Sequence, residues 1–230
     1  MPSTVVHLAF SGLLAAALLG SAFDRRSVAV VLLVTAFPDL DAFAALYTTV
    51  GHRAALHNVW IPAFWTALLW VDVTLRDRSF VRERWGEWGV RVVWVSAVCY
   101  VLSALALDIV NGVLNPLWPV HDQFYHIDGK LELSDQRGIV QTFIETGGED
   151  GSGIPAPESI GSSDEVNLST GVNPDPSGTE EDPERLFPVF RAGWELMLFV
   201  VGTTVTAARF ALDRRRTAEE GPGPTRTSRS

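Results

Sequence analysis

The stretch "SVAVVLLVTAFPDLDAF", residues 27–43, decides how the chain is read. Its first ten residues carry no charge, and "AALYTTV" (44–50), which follows, is nearly as apolar. Asp39 and Asp41 stand at the junction. An ionisable group in hydrocarbon costs roughly 2.5–3.5 kcal/mol on insertion scales, so two of them together call for a site or a cap.

The same criterion applied outward finds more such runs. A bilayer needs about 20 mostly apolar residues per helix. Five segments satisfy this: about 4–23, 27–49, 54–75, 90–112 and 189–212. The first lacks the basic start of a signal peptide and carries His7 instead. The fold expected is an all-α integral membrane helical bundle of about five transmembrane helices with one acidic, partly disordered extracytoplasmic loop. In chain order this divides into a four-helix membrane region (1–119), an ordered extracytoplasmic cap (120–145), a disordered acidic loop (146–187), a fifth transmembrane helix (188–213) and a cytoplasmic tail (214–230).

Arginine sets the orientation. "DRR" (24–26), "RDRSFVRER" (76–84) and "RRR" (214–216) fall between or after spans in positions that the positive-inside rule makes cytoplasmic. The N-terminus is then outside and the C-terminus cytoplasmic, in a multi-pass protein of the cell membrane. Residues 120–187 lie outside, with 15 Asp and Glu against 3 Lys and Arg. An acidic chain whose only lysine is Lys130 has the composition of a salt-loving organism and excludes nucleic acid as an expected partner.

Within the outer loop, residues 146–185 are rich in Gly, Pro, Ser and acids, and have too little apolar surface to offset ordering entropy. "NLS" (167–169) fits a glycosylation acceptor. In contrast, "KLELS" (130–134) and "GIVQTFIE" (138–145) alternate like short strands, predicting a hairpin in the cap. Cys99, alone in the chain, reads as packing.

The topology drawn from arginine puts the unusual polar residues on one side. His7, Asp39, Asp41, His52, Arg53, His57, Asn58, Asp108, Asn111 and Asn115 all fall in outer halves or outer mouths of spans, with His121, Asp122 and His126 just beyond. Asp108, Asn111 and Asn115 share a helical face. Asp39 and Asp41 would diverge by about 200° on a regular helix, unless Pro38 loosens the turn. Carboxylates with imidazoles suit a borderline divalent metal: zinc, manganese or iron. Plainer readings stand beside this one: His7 as an interfacial residue, Asp39 and Asp41 as caps or partners of Arg53, Asp108 as a packed hydrogen-bonding carboxylate, and His121 and His126 as solvated.

"PDLD", "HRAALHN" and "LDIVNGVLNPLWP" together resemble the YdjM-like family of membrane-bound metal-dependent hydrolases, over residues 1–120. The resemblance, of a haloarchaeal type, implies divalent-metal binding by His7, Asp41, His57 and Asp108, with zinc the first choice. It implies that Asp39 or His52 activates water and that Arg53 clamps an anionic phosphoester, small or lipid, at the outer membrane face. The pattern departs at Ala104, where the family has a histidine, and at Leu56 and Asn58. The loss at Ala104 leaves room for a second reading, a non-catalytic membrane scaffold or receptor. A transporter with a midplane ion site is a third, against which only five spans and no internal repeat count.

Overall fold

The computed structural model describes residues 3–44, 46, 52–127, 129–142, 159–166 and 168–219. They are mostly helical: α1 (Thr4–Leu18), α2 (Arg25–Ala36), α3 (Asp41–Ala44), α4 (Trp60–Thr74), α5 (Phe80–Cys99), α6 (Leu107–Asn111) and α7 (Gly193–Glu219). Four short strands complete them: β1 (Phe124–Tyr125), β2 (Leu131–Ser134), β3 (Gly138–Gln141) and β4 (Ser159–Gly161).

Local chemistry sets the boundaries. Gly20, at φ 57°, ends the α1 turn. Asp24 then starts α2 with a reciprocal cap: its carboxylate accepts from the Ser27 N–H at 2.7 Å, and Ser27 Oγ accepts from the Asp24 N–H at 2.9 Å. Pro38 falls in a tighter 3₁₀ turn, Phe37–Leu40, that joins α2 to α3. Asp72 closes the α4–α5 connection by accepting from Ser79 Oγ (2.7 Å) and the N–H groups of Phe80 (2.9 Å) and Val81 (3.0 Å). These are donors that the first turn of α5 cannot satisfy internally. Asp72→Ala is expected to lower the thermal unfolding midpoint in detergent, and an unchanged midpoint would refute this capping role.

α5 kinks at Gly86 (φ 64°) and continues through a π-helical stretch, Tyr100–Ala106, into α6. One core gathers Ala15, Leu19, Val28, Val31, Val95 and Cys99 from α1, α2 and α5, with Phe210 of α7 packed on it. A second, around Tyr100, Leu105 and Leu114, is joined by Ile61 and Trp65 of α4. α7 lies closely along α1, and a Cβ on Gly202 would stand 2.2 Å from the Ala9 carbonyl oxygen.

Among the described residues, two helices are long and apolar enough to cross a membrane, Phe80–Asn111 and Gly193–Arg216. The five spans expected from sequence therefore resolve unevenly. α1 has 15 residues and α2 has 12 before the turn at Pro38. The segment 54–59 is turn rather than helix, so α4 starts only at Trp60. α7 starts at Gly193 and runs to Glu219, so residues 214–219 extend that helix instead of forming a tail.

The alternating segments of the cap form β2 and β3, antiparallel with Leu131 opposite Gln141 and Ser134 opposite Gly138. Part of the loop expected to lack structure follows a defined path. β4 pairs with β1, Ser163 donates to Asp122 through both N–H (3.1 Å) and Oγ (2.6 Å), and Arg185 donates to the carbonyls of Gly171 and Val172. Hydrogen bonds to an existing frame hold this strand-poor segment, which composition alone could not reveal. Residues 143–158, Asn167 of the Asn-Leu-Ser tripeptide, and 220–230 lie outside the described residues.

Candidate metal centre

Four parts of the chain meet at one buried point. α1 carries His7; the 3₁₀ turn and α3 carry Asp39 and Asp41; the turn before α4 carries His52, Arg53 and His57; α6 carries Asp108. His7, Asp41, Arg53, His57 and Asp108 are all buried.

His57 is the pivot. Its Nδ1 lies 2.8 Å from Asp41 Oδ2. Its Nε2 faces the other way, 3.5 Å from Asp39 Oδ1 and 3.4 Å from Asp108 Oδ2. Asp39 and Asp41 do diverge, as a helix-like turn requires, and they flank the two edges of one imidazole. His7 joins from α1, with Nε2 3.2 Å from Asp108 Oδ1 and Nδ1 against the Ser103 carbonyl. A carbonyl only accepts, so His7 Nδ1 carries a proton, and Nε2 is the ring nitrogen turned to Asp108. Ser103 sits in the π stretch and returns a bond from its Oγ to the His7 carbonyl at 2.6 Å. Such widened turns recur at functional sites, and no sequence signal pointed to this one.

The chemistry around His57, imidazole nitrogen beside carboxylate oxygens, is that of a divalent-cation donor set. His57 Nε2 and Asp108 Oδ2 are buried polar atoms without a hydrogen-bond partner. Leaving such atoms unmatched is costly, so each one in a folded protein requires an explanation. Metal bonds to N and O of about 2.0–2.1 Å in tetrahedral geometry separate neighbouring donors by about 3.3–3.4 Å. Two separations at His57 Nε2, 3.5 Å to Asp39 Oδ1 and 3.4 Å to Asp108 Oδ2, lie close to that value. Histidines whose other nitrogen is held by a carboxylate or a carbonyl are also the usual form of metal-binding imidazoles.

A neighbouring group overlaps it. Asp41, His52 and His57 each offer a donor atom within 4.8 Å of the others and form a His/Asp cluster that could hold a metal ion. There, however, the close approaches are already hydrogen bonds. Asp41 Oδ1 lies 2.5 Å from His52 Nδ1, and Oδ2 takes both His57 Nδ1 and the Arg53 N–H at 3.0 Å. Asp41, expected as a ligand, belongs to this group and also accepts these hydrogen bonds, while Asp39 faces His57 Nε2 from the other side of the ring.

Arg53 also differs from expectation. Its backbone takes the left-handed conformation (φ 73°), which aims its N–H at Asp41. Its guanidinium turns inward to Asp108 Oδ1 at 2.7 Å and the Val113 carbonyl at 3.3 Å. It pairs with Asp108, and Arg53 also lines a cavity beside Asp39 and His52. Ala104, where the resemblance expects a histidine, is buried in the π stretch.

The remaining polar residues serve elsewhere. Asn111 donates to its own helix at Leu107, and Asn115 donates to Asp122, which tethers Ser163. His121 pairs with the Tyr125 hydroxyl at 2.7 Å. A cavity of about 760 Å³ opens above the cluster, with Asp39 and His52 in its wall and residues 169–174 and 180–191 across from them. The Asp39 side chain is 29% exposed, so the buried centre reaches the cavity through it. No family model, curated protein or solved structure matches the chain.

Proposed function

We propose that the chain is a multi-pass membrane protein of YdjM-like type that acts as a metal-dependent hydrolase on a phosphoester at the outer membrane face. The observation that carries this reading is a pair of buried atoms without a hydrogen-bond partner, His57 Nε2 and Asp108 Oδ2, 3.4 Å apart. His7, Asp39, His57 and Asp108 hold the cation, and their N/O chemistry favours zinc, with manganese or iron the alternatives. Such a metal supplies Lewis acidity to a phosphoryl oxygen and lowers the pKa of water to near neutrality. Arg53 keeps Asp108 ionised and aimed, and Asp39 links the centre to the cavity where substrate enters.

Membrane burial of more than the two long helices is supported by the outward faces of the shorter ones. Leu33 of α2 and Phe64, Leu68 and Trp70 of α4 are all more than half exposed. A band of that kind is costly in water and neutral in lipid. The arginine pattern then sets the N-terminus outside and the C-terminus in the cytoplasm.

Purified protein in detergent is expected to carry one divalent cation and to hydrolyse bis(p-nitrophenyl) phosphate or a dispersed phospholipid. Asp39→Ala is expected to abolish the turnover. Protein that takes up no cation from added zinc, manganese or iron would exclude the reading. The scaffold or receptor reading draws on Ala104 and on the inward-turned Arg53. It predicts cation binding without turnover on any substrate of such a panel.

A further inference from the structure

Resting on that reading, we propose that Asp41 is a shared positioning residue that holds two imidazoles in one tautomer, one as metal ligand and one as proton-transfer group. Each Asp41 oxygen faces a histidine Nδ1, His52 at 2.5 Å and His57 at 2.8 Å. The carboxylate is buried and takes a third donor from the Arg53 N–H at 3.0 Å, which the left-handed backbone at Arg53 makes possible. An ionised carboxylate only accepts, so both nitrogens facing it are N–H. Nε2 is then the ring nitrogen that each histidine has left to offer to a cation or a ligand.

The two Nε2 atoms meet different surroundings. That of His57 is sealed among Asp39 and Asp108. His52 stands edge-on to His57, with ring centroids 5.4 Å apart, and lines the cavity with a side chain 13% exposed. With Nδ1 committed to Asp41, its Nε2 is the ring nitrogen available to a ligand in that cavity. Asp39 borders the same cavity, so the metal-facing set and His52 Nε2 address one bound molecule from adjacent walls.

The proton bookkeeping closes without another reagent. As the oxygen of a water forms the new bond to phosphorus, His52 Nε2 takes that water's proton. The ester P–O bond breaks, and the same proton passes from Nε2 to the leaving oxygen. Asp41 remains ionised and steadies the transient imidazolium, as the third member of such relays does elsewhere.

Nitrogen-15 spectra of histidine-labelled, metal-free protein test the tautomers directly, independently of turnover. Both His52 and His57 are expected as Nδ1–H. A bare Nδ1 at either residue would overturn the proposal. His52→Gln is expected to keep wild-type zinc stoichiometry and affinity while hydrolysis of bis(p-nitrophenyl) phosphate falls about 10²- to 10⁴-fold. Loss of zinc in that variant would make His52 a ligand and refute the assignment. Asp41→Asn presents one acceptor and one donor, so one imidazole is expected to switch tautomer while zinc affinity drops about 10- to 100-fold. Unchanged spectra and affinity in Asp41→Asn would remove the positioning role. Failure of wild-type protein to bind any cation would instead remove the functional reading and leave the tautomer result standing.

Discussion

His57→Ala is expected to yield folded protein that no longer retains a stoichiometric cation, as read by elemental analysis and by chelator competition. The substitution removes Nε2, which lies 3.5 Å from Asp39 and 3.4 Å from Asp108, and takes one donor from Asp41 Oδ2. Loss of an outer-shell partner already costs about 10- to 100-fold in metal affinity, and loss of a ligand should exceed the upper figure. His57 is a cleaner target than Asp108, whose removal would leave the Arg53 guanidinium buried without its carboxylate. Acidification should act in the same direction, because imidazoles and carboxylates must shed their protons before they bind metal. Retention of the cation in His57→Ala, with loss in Asp41→Ala, would move the site to the Asp41–His52 side of the ring.

Gly202→Leu is expected to destabilise the protein by about 1–3 kcal/mol or more, as an overpacked contact does. The new Cβ would lie 2.2 Å from the Ala9 carbonyl oxygen and 2.7 Å from its carbon, and backbone cannot swing aside as a side chain can. α7 would have to withdraw from α1 along a crossing that depends on close approach of small residues, the device by which helices associate in lipid. Further bonds depend on the same alignment: Ser3 Oγ to the Val189 carbonyl, Arg209 to the Gly20 carbonyl, and Arg209 over the Phe23 ring. Since His7 lies on α1, metal affinity should fall with stability. Denaturant titration in detergent measures the first effect. Gly193→Ala is the control, because nothing lies within 4 Å of its added Cβ. Equal midpoints for the two variants would sink the account of the α1–α7 contact.

Much of the site was legible before folding because of where its residues sit. His7 and Asp108 are costly in apolar runs, and "HRAALHN" concentrates ionisable groups at the mouth of another. Burial cost is a property of composition, so it points to these residues without a structure. The β2–β3 hairpin was legible for a similar reason, since strand alternation is local. Helix length was less so: apolar composition continues through Pro38 and through 54–59, but hydrogen-bonded helix does not.

What sequence determined by itself, then, was which residues had to find partners, because an unpaired charge in an apolar segment is unaffordable wherever the segment goes. Only tertiary structure decided who partners whom. Asp39 and Asp41 are two residues apart and chemically identical, yet one faces His57 Nε2 and the other Nδ1, because a ring from a distant turn enters between them. The same holds for Arg53, whose charge suggested an outward clamp until its left-handed backbone turned it onto Asp108. It holds for Ser103, whose carbonyl reaches His7 across 96 positions of sequence. Such roles depend on angle and distance between separate elements, and those are set by packing, which no local pattern encodes.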